Sequence, residues 1–141
     1  MTLSLREVKE AARQIAKDLR GGEIFGLIGP LGSGKTTFAQ ALGKELKVKQ
    51  KITSPTFILL QGFEARLPRP AAEGNGGQAR KKHKKIIFYH LDLYRIKSFK
   101  EARSLGLMEF WGKPKTVTVI EWADRIKKYL PKKTKLIKFK H

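Results

Sequence analysis

The chain has 141 residues, of which 40% are hydrophobic and none is cysteine, and it carries a formal net charge of +19. That length suits one domain with a real core, and the missing cysteines exclude a disulfide scaffold, a thiolate zinc site and a cysteine nucleophile. No apolar run reaches the ~18 residues of a membrane span and no signal-peptide core stands at the N-terminus, so a cytoplasmic protein without membrane association is expected.

Ser4 to Glu7 has the pattern of a capping box, in which a hydroxyl and a glutamate satisfy each other's backbone amides. Leu5, Val8, Ala12, Ile15, Ala16 and Leu19 then recur at helical spacing until Gly21 and Gly22. Ile24 to Ile28 is a short apolar run bounded by glycine, as in a buried strand, and a second helix is predicted from Lys35 to Leu46. Strands are predicted over Thr56 to Leu60 and Ile86 to Leu91, and a third helix from the capping box at Ser98 to Gly106. Thr116 to Ile120 is a β-branched strand, followed by a short helix from Trp122 toward Tyr129. Lys135 to Phe139 reads as a last edge strand, with lysines blunting its open side.

Strands alternating with helices predict an α/β fold, a mixed and mostly parallel sheet with helices on both faces, and the glycine-rich run from Gly29 to Thr36 makes it of the phosphate-loop NTPase type. No helical pattern separates the strands at 56–62 and 86–91, so these two are expected to form an antiparallel hairpin. The chain thus reads as one phosphate-loop domain over 1–141. Within it, residues 64–85 read as a flexible basic insertion and residues 125–141 as a basic C-terminal tail. The first segment carries seven basic and two acidic groups, and the second eight basic and none acidic. Two such zones on a more ordinary body suit either a polyanionic partner or a solubilising surface.

Gly29-Pro30-Leu31-Gly32-Ser33-Gly34-Lys35-Thr36 matches G-x-x-x-x-G-K-[ST], with an apolar strand before it and an amphipathic helix after it. Gly29, Gly32 and Gly34 let successive N–H groups, Ser33's included, turn toward phosphate oxygens, and the helix start adds partial positive charge. Lys35 would reach the β- and γ-phosphates of ATP, Thr36 would supply a hydroxyl to magnesium, and Thr37 would extend the contacts to the α-phosphate. Such a loop works with a carboxylate at the end of a neighbouring strand. Asp92 and Glu121 both end apolar strands, and composition does not separate them. Thr53, Ser54 and Thr56 surround Pro55 in a hydroxyl-bearing segment after the first strand–helix unit, which reads either as a γ-phosphate sensor or as a turn.

Taken in order, G-x-L-G-S-G-K-T-T-F from Gly29, T-S-P-T-F from Thr53, H-L-D-L-Y-R from His90, L-G-L-x-E from Leu105 and I-E-W from Ile120 resemble one family. It is the bacterial tRNA threonylcarbamoyladenosine biosynthesis ATPase family, TsaE, also called YjeE. The resemblance covers roughly residues 4–131 with ordinary spacing except at 64–85. It implies ATP binding along Gly29 to Thr37, magnesium held by Thr36 and Glu121, and Asp92 near the metal and needed for hydrolysis. It also implies a nucleotide-responsive loop at Thr53, Ser54 and Thr56, an aromatic role for Trp122, and slow ATP turnover stimulated by partners. Those partners would be TsaD and TsaB, with tRNA reachable by the basic segments. Three features depart from the family pattern: Val8 replaces a hydroxyl residue near the adenine, Pro30 replaces a common acid, and the basic insertion replaces a short turn.

Two other readings compete. In one, the chain is a basic nucleic-acid-binding module whose phosphate loop is residual. In the other it is a small phosphate-loop kinase, for which the segment 97–112 offers only Arg103 as a lid arginine.

Overall fold

Six strands form one sheet in the computed structural model, which describes residues 1–53, 60–68 and 84–141. In chain order they are β1 (Thr2–Leu3), β2 (Ile24–Ile28), β3 (Leu60–Arg66), β4 (Lys85–Asp92), β5 (Thr116–Glu121) and β6 (Lys135–Phe139). The helices are α1 (Val8–Lys17), α2 (Lys35–Glu45), α3 (Phe99–Arg103) and α4 (Leu107–Phe110), with 3₁₀ segments at Leu5–Glu7 and Ala123–Tyr129. The spatial order is β1-β6-β2-β5-β4-β3, parallel throughout except for the antiparallel β3–β4 pair. This is the expected fold class, including the hairpin.

The two faces of the sheet bury different side chains because strand residues alternate. Phe25, Leu27, Val117, Val119, Phe88 and Ile137 pack under α1 and α2 with Phe38, Leu42 and Leu46. Val8, Ala12 and Ala16, four residues apart, put the buried stripe of α1 against that layer. Ile24, Leu91 and Ile120 face the other way, onto Ala102, Leu107, Trp111 and Ile126. Stacked ring pairs at 4.0 Å (Tyr89 and Phe110) and 4.1 Å (Phe99 and Tyr129) pin that second layer.

Several expectations are corrected. The last strand is not an edge: β1, too short to show a period, pairs with Lys138 and Phe139 on its outer side. The third helix starts at Ser98 as expected and ends at Arg103, and beyond Gly106, at a left-handed φ of 84°, a short α4 follows that the sequence reading missed. The segment after Trp122 is 3₁₀, with Ile126 off helical geometry at φ −129°. The hairpin reaches further than predicted, since β3 runs from Leu60 into the supposed insertion and pairs Arg66 with Lys85, while residues 56–59 of the predicted strand lie outside the described residues. Alternating Phe63, Ala65 and Leu67 are buried there, so 64–67 is folded structure, and most of the remaining insertion lies outside the described residues. The basic segment 125–141 also packs into the fold, burying Ile126, Ile137 and Phe139.

Candidate functional site

The glycine-rich loop crosses from the C-terminal end of β2 to the start of α2 under tight steric limits. A Cβ on Gly29 would lie 2.7 Å from the Phe139 carbonyl oxygen and 2.9 Å from Ser33 Oγ, so the loop passes too close to β6 for any side chain. Gly34, at φ 113°, caps α2 in a conformation other residues resist, and faces the Val8 methyl. That places Val8, the residue that departs from the family pattern, beside the loop.

Lys35 folds back over this turn, its Nζ donating to the carbonyls of Gly29 (2.5 Å) and Pro30 (2.8 Å). The ammonium also lies 4.0 Å from the centre of the Trp122 ring. Only 4% of Lys35 is exposed. Burial pushes its pKa down, against the upward pull of Glu121, Asp124 and Asp92. Ser33 is buried too, and its hydroxyl has no hydrogen-bond partner among the described residues. A backbone cradle, a desolvated cation and an unpaired donor together suit an anion with several oxygens.

The carboxylates arrive from β5, which pairs with β2, and from β4, the next strand out. Parallel pairing of β4 with β5 sets Asp92 directly opposite Glu121, both at the strand ends nearest the loop. Thr36 Oγ1, in the first turn of α2, donates to Glu121 Oε1 at 2.8 Å. The other carboxylate oxygen meets His90 Nε2 at 2.5 Å, so Glu121 is held from both sides. Asp92 Oδ1 accepts from the Tyr94 backbone N–H at 2.9 Å. Thr36, Glu121 and Asp92 form an all-oxygen donor set, which fits a hard divalent cation such as magnesium. Among the described residues no group of three His, Cys, Asp or Glu side chains could hold a metal alone. Bound phosphate oxygens would have to complete the shell, as they do for magnesium in nucleotide sites.

Burial raises the Asp92 pKa, reinforced by Glu121 and opposed by the Tyr94 N–H, His90 and Lys35. The native state therefore binds more protons than the unfolded chain between the unfolded and the raised pKa, and stability falls as pH rises through that interval. Above it, ionised Asp92 destabilises the fold. Asp92→Asn is expected to raise the melting temperature at pH 7 by roughly 2–4 °C, equivalent to ~1 kcal/mol, in metal- and nucleotide-free buffer. The gain should shrink toward pH 4. A melting curve equal to wild type at every pH would refute the penalty.

Gly29, Gly32, Gly34, Ser33, Lys35, Thr36, Glu121 and Asp92 thus converge around one loop, with Thr37 on the following residue of α2. Thr53 is exposed just after Ile52, whose carbonyl accepts from Gln40 Nε2 at 2.8 Å. Ser54 and Thr56 lie outside the described residues. Sequence reasoning quoted His90 within a motif but gave it no role. The available signal was a polar residue at the buried parity of an apolar strand, two before Asp92. Arg125 lies with its guanidinium 6.0 Å from both the Tyr94 and Trp122 ring centres. Trp122 itself has a left-handed φ of 59°, which turns its ring toward Lys35.

The family model described as "Threonylcarbamoyl adenosine biosynthesis protein TsaE" matches residues 2–141. A curated relative from Aquifex aeolicus, named tRNA threonylcarbamoyladenosine biosynthesis protein TsaE, is 34% identical and covers 88% of this chain and 75% of its own. The Bacillus subtilis protein of the same name is 30% identical, covering 92% and 69% respectively. The one from Nostoc is 34% identical over 79% of this chain, which spans only 59% of that relative's length. Among solved structures, Bacillus subtilis YdiB superposes with a TM-score of 0.56 at 27% identity, covering 92% of this chain and 66% of that one.

Proposed function

The chain belongs to the TsaE family of threonylcarbamoyl adenosine biosynthesis proteins, and we propose that it is a cytoplasmic, magnesium-dependent ATPase that works with TsaD and TsaB on tRNA. The observation that carries this reading is the Thr36–Glu121 hydrogen bond, which links the glycine-rich loop to a strand-end carboxylate 85 residues away.

In this reading the amides from Gly29 to Thr37 and the Ser33 hydroxyl bind phosphate oxygens. Lys35 exchanges the carbonyls of Gly29 and Pro30 for the β- and γ-phosphates. Thr36 and Glu121 hold magnesium, which when bound neutralises charge on the transferred phosphoryl group. His90 keeps the Glu121 carboxylate in place, and Asp92 positions or deprotonates water at the same edge. Thr53, Ser54 and Thr56 are the segment proposed to respond to the γ-phosphate. The kinase alternative loses ground because 97–112 folds as α3 and α4, burying Ala102, Leu107 and Trp111 against the sheet.

Arg125 lies 6.0 Å from two aromatic ring centres and bonds to none of the loop residues described above, so a partner's arginine is the natural source of further transition-state charge stabilisation, worth ~10³–10⁵ in rate. The purified protein is expected to turn ATP over slowly and to accelerate when TsaD and TsaB are added. Turnover near ~10 s⁻¹ alone, indifferent to both partners, would overturn the proposal.

A further inference from the structure

The sheet has a second charged end. The strands that bring Asp92 and Glu121 to the glycine-rich loop begin at Lys85 and Thr116, and β4 spans roughly 23 Å between its ends. At that far end lies a cleft of about 400 Å³ lined by Lys47, Lys49, Arg66, Lys85 and Lys115, with Glu64 its single acid. Ala65, Ile86 and Ile87 form its apolar floor. Three of these cations, Lys47, Lys49 and Lys115, lie outside both basic segments visible in the sequence. The fold gathers them with Arg66 and Lys85.

We propose that this cleft binds the phosphate backbone of RNA. All five cations are exposed, and among the described residues none forms an ion pair with a carboxylate. Glu64 offsets only part of their mutual repulsion, and a chain of regularly spaced phosphates relieves the rest at several points at once. The apolar floor suits sugar and base faces between phosphate contacts.

Lys47 adds an independent observation. It follows the last turn of α2 at φ 63°, the left-handed position that glycine occupies at least cost. The turn is a complete Schellman motif, with Lys47 N donating to the Lys44 carbonyl at 3.1 Å and Val48 N to the Gly43 carbonyl at 3.0 Å. A long cationic side chain at a position favouring glycine gains nothing for the turn. It does add a cation to the lining of the cleft. Backbone strain retained in this way points to function.

The choice of tRNA as the RNA rests on the pathway reading above, whereas the preference for phosphates does not. The test uses the full chain and a fluorescently labelled tRNA, with affinity followed against salt and ATP turnover measured on the same samples. The double variant Lys49→Glu/Lys115→Glu is expected to weaken binding at least tenfold. It should also flatten the slope of log affinity against log salt by about 1.4–1.8, the share of two phosphate contacts. Lys47→Gly is expected to raise the melting temperature while weakening tRNA binding, a combination that a structural role for Lys47 does not produce. The control Lys9→Glu/Lys17→Glu, on the exposed face of α1, should leave binding near wild type.

Unchanged affinity in the cleft double variant, or an equal loss in the control, would overturn the proposal. So would displacement of tRNA by a polyglutamate peptide at equal charge, which would assign the cleft to an acidic protein. Wild-type chain that binds tRNA without hydrolysing ATP would sink the ATPase reading and leave the cleft standing. Hydrolysis without tRNA binding would do the reverse.

Discussion

Lys35→Ala is expected to lower ATP turnover by roughly 10²–10³-fold, the usual loss when a charge-stabilising donor is removed from a phosphoryl or acyl transfer site. No other described cation is bonded to the Gly29 and Pro30 carbonyls, where the Lys35 ammonium sits. The fold is expected to survive. Burial lowers the Lys35 pKa, so at neutral pH the protein carries this charge at a cost that the substitution removes. Lys35→Met isolates the charge further by keeping an aliphatic stem beside Trp122. Both variants should melt no lower than wild type while phosphate release collapses. Wild-type turnover in either would take the loop out of the chemistry.

Glu121→Ala is expected to act in two ways at once. The residue is 2% exposed, and its side chain accepts from Thr36 and His90 on separate oxygens. Its loss leaves His90 buried with neither ring nitrogen paired, since Nδ1 already lacks a partner. Stability should fall by ~1–3 kcal/mol, the cost of stranding a buried polar group. Nucleotide affinity should also lose its dependence on magnesium. Glu121→Gln, which can still accept from Thr36, should recover most of the stability and little of the metal effect. Asp92→Asn is expected to move stability the opposite way, upward, while reducing turnover more than binding. Nucleotide affinity with and without magnesium, alongside thermal melts, separates the two acids. Identical losses in both variants would erase the distinction.

Much of the fold was legible because its signals are local. The capping pattern at Ser4 and Glu7 is realised, with the Ser4 backbone N–H donating to Glu7 Oε1 at 2.8 Å. The runs at Ile24–Ile28 and Thr116–Glu121 are fully or nearly buried, as uninterrupted apolar strands in a parallel sheet should be. What failed was short or displaced. Two residues of β1 carry no period, and the β3–β4 register depends on which face of Phe63 and Ala65 finds the core. The basic segments read as loop and tail because lysine and arginine dominate their composition. Among the described residues, alternate positions within them, Ala65 and Leu67 in the first and Ile137 and Phe139 in the second, are nevertheless apolar and buried.

The sequence by itself determined the chemical inventory: a glycine-rich turn between a strand and a helix, a lysine and threonines at the helix start, and two acids ending apolar strands. Steric and conformational rules written in a few adjacent residues suffice for each. Only the tertiary structure decided how these pieces meet. Strand order put β5 beside β2 and left β4 one place further out, so Glu121 rather than Asp92 bonds to Thr36. The same order placed His90 behind that carboxylate and gathered Lys47, Lys49 and Lys115 at the opposite end of the sheet. Pairing between strands joins residues far apart in the chain through backbone hydrogen bonds common to every sequence. Local periodicity therefore marks where a strand lies, and the packing of the whole core selects its neighbour.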